Sequence, residues 1–398
     1  MRTVRSMLVL LFLLVLPLGS SSTAQELPAP RIVGPRLPGR ERDEALRRFG
    51  GSEETEKAVV AGLDWLERHA LASGWDADGF PDRCAKEGKP CDGVGKGHHG
   101  EDAPCPFDRA ISAFAALAFL GHGDLPDPEG SPRARLLEKT LRGLEGPGDA
   151  WAEALSTEAF AEAEALERRG RWREAAAEGA ARLLGTRGED GGFGYIAGLR
   201  KGSDTPFTAF TVTALVAVRD AGARLPDDLG AGVDRFLASL EEKEGKLAYL
   251  RDGRSYGYTP TSYNAHAALA CRELLRKGTD GARHRAHLSF VRGEAPAWVI
   301  AVREVKMAGE PMKRVRMAKF DLLDWYYGTL AMFQRGGSDW SAWYGATKSA
   351  LVPHQRKDGC ARGSWDPVGF YEMNVGGRVL STALGILILE EPYRQRPL

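Results

Sequence analysis

Two kinds of helical segment alternate along this chain, and that alternation limits its folds more than any other feature. Apolar residues recur at helical spacing over about twelve segments. One set is amphipathic with charged faces: 53–71, 132–144, 171–184, 226–240, 281–291 and 339–354. The other set is less charged and richer in Ala, Thr, Ser, Phe and Leu: 108–121, 204–221, 260–276, 319–334 and 377–390. The 151–169 segment takes an inner place in the order but is more acidic. A helix apolar around most of its circumference must be buried on most sides. The reading is therefore all-α, with six outer/inner helix pairs in a closed double ring; an open solenoid of helix pairs is the competing architecture.

The joints repeat as well. SGWDADGF at 73–80, GEDGGFGY at 188–195 and KDGCARGSWDP at 357–367 each follow a charged helix and precede an apolar one. Glycine permits left-handed backbone after a helix end, and Asp favours turn hydrogen bonds. The aromatic residue is expected to pack back over the joint as a structural staple, so Trp365 and Asp366 read as staple and turn residue. Ser52 is a candidate N-cap of the first charged helix, with Glu53 and Glu54 at its positive end.

The termini are different. Arg2 and Arg5 precede an apolar run from Met7 to Leu18, and Ser22-Thr23-Ala24 supplies the small residues of a cleavage site. Residues 1–24 read as a signal peptide, and the run is shorter than the roughly 20 residues of a spanning helix. No later segment reads as long and apolar enough to cross a membrane. The mature chain is expected to be exported, periplasmic or secreted. Residues 25–52 read as a flexible leader, 53–393 as the helical ring and 394–398 as a tail. Lys plus Arg equals Asp plus Glu at 54 each, which gives no support to a nucleic-acid partner. Oligomeric state is not legible.

These repeats resemble the squalene–hopene cyclase and protein prenyltransferase beta-subunit superfamily. LVPHQRKDGCARGSW is the clearest copy, with Gln355, Gly359, Gly363 and Trp365 in the expected places; WLERHALASGWDADGF is a copy without the Gln. WDADGF, ALAFLGHG, GSDTPFTAFTVTAL, YYGTLAMFQRGG and GGRVLSTAL further resemble uncharacterised exported bacterial proteins of that superfamily. The resemblance covers most of 53–393 and implies an (α/α)6 toroid with a central cavity. It does not imply an activity, since the fold hosts unrelated ones.

The superfamily's reactive motifs are missing. Cyclases protonate an alkene with Asp-x-Asp-Asp, whereas the nearest string here is Asp76-Ala77-Asp78-Gly79. Prenyltransferases hold zinc with Asp-x-Cys and a later His; Asp358-Gly359-Cys360 mimics the first half, but no His follows it. The thioester string Gly-Cys-Gly-Glu-Gln is absent too. The expectation is a non-catalytic scaffold for a ligand or partner, with no cofactor. An apolar lipid or polyisoprenoid, a glycan or a protein are the candidate partners. The competing reading is an enzyme on the same scaffold, cyclase-like or lyase-like, working at the cavity mouth.

Candidate mouth residues sit at the starts of the apolar helices: Asp108, Asp204, Thr205, Tyr263, Asn264, His266, Tyr326, Tyr327 and Arg378. Asp204 or His266 would serve as acid or base, and Tyr327, His266 and Arg378 as lyase parts; capping is the alternative role for Asp108 and Asp204. Among five cysteines, Cys84, Cys91 and Cys105 share one loop with His98, His99 and Asp102. Four of these six groups would suffice for zinc, but Cys-x6-Cys-x13-Cys is not a standard zinc spacing. The reading favours a Cys84–Cys91 disulfide and no metal.

Overall fold

A computed structural model of the protein describes residues 33–84, 91, 105–195, 202–250, 262–276, 278–279, 281–305 and 313–397. The signal segment and His98, His99 and Asp102 lie outside the described residues. All of the helices expected from periodicity form. The outer layer holds α2 (Glu53–Arg68), α4 (Pro132–Gly143), α6 (Arg173–Leu184), α8 (Leu229–Ala238), α10 (Gly281–Gly293) and α12 (Gly337–Leu351). The inner layer holds α3 (Asp108–His122), α5 (Ala150–Glu167), α7 (Thr205–Asp220), α9 (Ser262–Leu275), α11 (Leu322–Arg335) and α13 (Gly377–Leu389). Each inner helix touches the next, and α13 returns to α3, so the ring is closed and the open solenoid is ruled out. The fold is an (α/α)6 toroid.

Local sequence explains the helix starts. Ser52 caps α2 and exchanges hydrogen bonds with Thr55, so each satisfies an amide the helix leaves free. Asp149 accepts from Trp151 N and Ala152 N at the start of α5, and Asp204 accepts from Phe207 N at the start of α7. The acidic character of α5, out of place in an inner helix, has a specific cause. Glu153 pairs with Arg182 at 2.9 Å, Glu162 with Arg36 at 2.6 Å, and Glu158 with Arg394 at 3.1 Å.

The joints staple as read, and the mechanism repeats. Trp75 Nε1 donates to Leu66 O at the end of α2 at 2.8 Å, and Trp365 Nε1 donates to Leu351 O at the end of α12 at 2.9 Å. A hydroxyl in the first turns of the following inner helix then pins the aromatic residue's backbone. Ser112 accepts from Trp75 N, Thr208 from Phe193 N, and Ser381 donates to Trp365 O. Gly363, at φ 97°, lies against the backbone of α2 at Ala61, where a Cβ would collide with the carbonyl. Gly191, at φ 95°, meets the backbone of α8 at Gly232 in the same way. In both cases a joint packs on the outer helix of the next pair. The last pair therefore meets the first as ordinary neighbours meet, and this closes the ring.

Four features depart from the sequence reading. Residues 33–52 are not a loose leader over their described length. Arg36 is fully buried, Gly34 N donates to Arg394 O, and α1 (Arg40–Arg48) forms beyond them. The tail is built in at its start: Arg394, the last residue of α14 (Glu391–Arg394), is buried and pairs with Glu162 inside the ring, and Gln395 is buried too, while Arg396 and Pro397 are exposed. An antiparallel hairpin of β1 (Ile300–Val305) and β2 (Lys313–Ala318) inserts between α10 and α11, with Ile300 opposite Ala318 and Val305 opposite Lys313. Finally, the 18-residue stretch Glu372–Leu389 is long and apolar enough to span a membrane, contrary to expectation, but 83% of it is buried within the toroid.

Candidate functional site

The ring axis is filled rather than open at the level of the first inner-helix turns. Phe114 on α3, Phe210 on α7 and Tyr326 and Tyr327 on α11 come from every second inner helix, so their rings meet only across the axis. Phe114 lies 6.1 Å from Phe210 and 6.3 Å from Tyr326, and Phe210 lies 5.5 Å from Tyr327. Edge-to-face contacts of this kind are favourable for aromatic pairs. The central cavity that the resemblance implied is occupied here by this plug.

Among the described residues a cavity lies beside the plug, at the end of the ring where the inner helices begin. Its volume is about 990 Å³. Its wall carries Phe107, Trp151, Tyr195, Tyr249, Phe370 and Tyr371. Trp151 forms the link to the plug, with its ring 4.9 Å from Phe210 and 6.4 Å from Tyr371. Its indole N–H donates to Tyr195 Oη at 3.0 Å, which fixes both rings. Phe370 remains 44% exposed, a large apolar side chain presented to solvent at the rim. A π-helical turn, Glu372–Gly376, brings Asn374 and Val375 to the wall.

Among the described residues of the wall, polar groups are few and held. Glu153 pairs with Arg182 and accepts from Gly148 N at 3.2 Å. Asp149 is committed to capping α5. Behind Tyr371, Asp321 accepts from Tyr371 N at 2.9 Å and Glu372 accepts from Leu322 N at 2.6 Å, so both brace the start of α11. Ser262 donates to Asp324 at 2.6 Å. Burial raises the pKa of all three carboxyls above the usual range.

None of the nine side chains expected at the mouth is among those lining this cavity. Tyr263 lies just behind the wall, 5.4 Å from Tyr371. Tyr326 and Tyr327 belong to the plug. Asp204 caps α7, Thr205 donates to Ala248 O at 3.0 Å, and Asn264 donates to Leu247 O at 3.3 Å. Asp108 accepts from Ala77 N at 2.9 Å, and burial pushes its pKa up to about 6. His266 turns to the outer layer, 5.4 Å from Trp343 of α12, and burial lowers its pKa to about 4. Arg378 donates to Ser364 Oγ at 3.0 Å and pairs with Asp366 at 2.7 Å in the last joint. The aromatics that do line the cavity had one sequence signal: each of Tyr195, Phe370 and Tyr371 follows a staple aromatic by two to six residues, past a glycine.

The expected disulfide does not form. All five cysteines are free thiols. Cys84 and Cys91 do approach each other, but both turn to His69 Nε2, at 3.6 and 3.5 Å, where Cys360 joins them at 3.3 Å. Cys105 stands apart, with Sγ 3.9 Å from Val375 O. His69, Cys84, Cys91 and Cys360 are the side chains suited to a metal among the described residues, and they lie outside the cavity lining. Sequence reading missed His69 and set Cys360 aside for want of a following His, since neither residue is near the cysteine-rich loop in the way spacing rules require.

No protein-family model and no curated protein matches the sequence. Solved structures do match in shape. A glycoside hydrolase family 76 protein from a bovine Bacteroides thetaiotaomicron strain superposes with a TM-score of 0.56 at 8% identity, over 86% of this chain and 78% of that one. An inactive variant of an α-1,6-mannanase from a Salegentibacter species, in complex with α-1,6-mannotriose, gives 0.54 at 9% identity, over 85% and 99%. A variant of the type II terpene cyclase MstE from Scytonema, in complex with geranylgeranyl dihydroxybenzoate, gives 0.52 at 11%, over 85% and 97%. At these identities the likeness shows the fold alone, a toroid common to terpene cyclases and mannanases.

Proposed function

We propose that this chain is an exported toroid that binds a glycan in the aromatic cavity at the mouth, without covalent chemistry. The observation that carries the reading is the composition of the wall. Six aromatic rings surround a space that also holds the Glu153–Arg182 pair and Asn374. Sugars present apolar C–H faces for aromatic stacking and hydroxyl edges for charged and amide groups, so they use both. An isoprenoid gains about 25 cal/mol per Å² from burial, but it would cut the Glu153–Arg182 pair and Asn374 off from water without adding to the hydrogen bonds they already make. Relatives of the same shape include proteins bound to each ligand class, so the scaffold admits both, and the polarity of the wall favours the glycan.

The carboxylates on the wall support binding over hydrolysis. Glycoside hydrolysis needs one carboxyl kept as an acid and a second free to act as base or nucleophile. Asp149 and Glu153 are instead tied to helix amides and to Arg182. The test is a soluble-glycan array, followed by titration of the mature protein monitored by tryptophan fluorescence and by mass analysis of the sugar. Saturable binding to one glycan class, intact sugar, and at least tenfold weaker binding by Trp151→Ala in protein that remains folded are expected. Binding only to extracted isoprenoid lipids would overturn the ligand class. Turnover abolished by Asp204→Ala or His266→Ala would overturn the non-catalytic reading.

A further inference from the structure

We propose that His69, Cys84, Cys91 and Cys360 bind one zinc ion, which clasps the first helix pair of the toroid to the last. A tetrahedral zinc has Zn–S near 2.3 Å and Zn–N near 2.0–2.1 Å, which places sulfur roughly 3.6 Å from nitrogen. The three sulfurs lie 3.6, 3.5 and 3.3 Å from His69 Nε2, and all four donor atoms lie within 4.8 Å of one another. The spacing is that of four ligands around a common centre.

The surroundings prepare the donors. His69 Nδ1 lies 2.9 Å from Trp65 O, so the ring proton sits there and the Nε2 lone pair faces the sulfurs. Trp65 stacks on the imidazole at 4.3 Å and fixes its plane. The Cys91 amide donates to Cys84 Sγ at 3.2 Å, a bond that stabilises a thiolate. His69 is 1% exposed and Cys91 4%, while Cys84 and Cys360 are half-buried. Three thiolates and a divalent cation sum to one negative charge, and the Arg68 and Arg378 guanidiniums are close enough to act on His69. Binding would release the three thiol protons.

Three thiolates and an imidazole select zinc over magnesium or calcium. Four protein ligands leave no open position, which makes the site structural rather than catalytic. Its place gives it a task. His69 ends α2, Cys84 and Cys91 belong to the connection from α2 to α3, and Cys360 belongs to the connection from α12 to α13. His69 and Cys360 are 291 residues apart. The two joints already meet: Gln355 Nε2 donates to Ala58 O at 2.7 Å, and Arg68 donates to Arg362 O at 2.9 Å. The ion would lock the ring at its seam.

The experiment is elemental analysis and native mass spectrometry of the full mature chain, purified from its exported fraction without reductant or chelator. About one zinc per chain is expected. Cobalt exchanged for zinc should give thiolate-to-cobalt charge transfer with an intensity matching three thiolates. Cys84→Ser and Cys360→Ser should each lower zinc content at least tenfold, while Cys105→Ser and Cys271→Ser keep it. A chain that arrives metal-free and takes up no cobalt, or that is two protons light with Cys84 joined to Cys91, overturns the proposal. So does full zinc retention by Cys360→Ser. Should that variant fail to fold, the cobalt spectrum of the unsubstituted chain decides, and fewer than three thiolates count against the site.

Discussion

At the floor of the toroid, Arg36 and Arg394 reach into the ring and meet Glu162 and Glu158; at the mouth, His69 meets three cysteines. Both clusters join the two ends of the chain. Arg36 precedes the first helix pair and Arg394 follows the last, and both converge on α5. The floor carries its own counter-charges, so it is complete as the chain folds. The mouth cluster has no charge pair among its side chains, and in the proposed zinc site a cation would join them. The same seam is thus closed in two ways, one fixed by the polypeptide alone and the other conditional on a metal.

The floor lock is the stronger test of that contrast. Glu162 accepts both Arg36 nitrogens, at 2.6 and 2.9 Å, and Arg394 at 3.0 Å. Glu162→Ala would leave the Arg36 guanidinium with its Nε bond to Arg394 O as its remaining hydrogen bond among the described residues, and Arg394 with Glu158 and Glu391 at 3.1 and 3.8 Å. Breaking a buried pair from one side costs about 3–5 kcal/mol, and the loss should be the same with or without zinc. Denaturant unfolding of the variant checks it; a loss that appears only in zinc-free protein would show that the two locks are not separate.

A second effect should be smaller and depend on pH. Burial, the largest cause, raises Glu158 to about 7 and Glu391 to about 8, while Arg36 and Arg394 hold Glu162 low. A carboxyl with a raised folded pKa binds more protons when folded. Its contribution is present below the ordinary carboxyl range and is lost as pH rises through about 7 and 8. Stability should therefore fall between pH 6 and pH 8, by about 3 to 4 kcal/mol. Thermal unfolding across that range should show the slope, and Glu391→Gln should flatten it. A flat profile in the unsubstituted chain would remove these carboxyls from the account.

The smallest effect compares two joints. Ser381 donates to Trp365 O at 2.7 Å, whereas Ser112 both accepts from Trp75 N and donates to Trp75 O. Ser381→Ala should cost about 1 kcal/mol and Ser112→Ala more, since the Trp75 amide would be left buried without its acceptor. Equal losses would mean that the staples are held by packing rather than by these hydroxyls.

Much of this architecture was legible in particular residues. Ser52 and Asp204 mark helix starts, the alternation of charged and apolar helices assigns them to layers, and Gly363 and Trp365 announce a joint. These are local signals: a cap acts within one turn, and a helix period is written in neighbouring residues. The cavity was legible only in part. Its aromatics sit in the joints, but which of them share a wall depends on how far each joint leans over the ring. Tyr263 and Tyr371 differ by one layer of packing, and nothing in their local sequence separates them.

What the sequence by itself determined is therefore the set of helices, their alternation and the stapled joints between them. The tertiary structure alone decided that Phe114, Phe210 and Tyr327 would fill the axis, that Arg36 would find Glu162, and that Cys360 would stand beside His69. The physical reason is ring closure. Residues 291 apart become neighbours only when the last outer helix meets the first, and that meeting is set by the summed rotation of all the pairs between them.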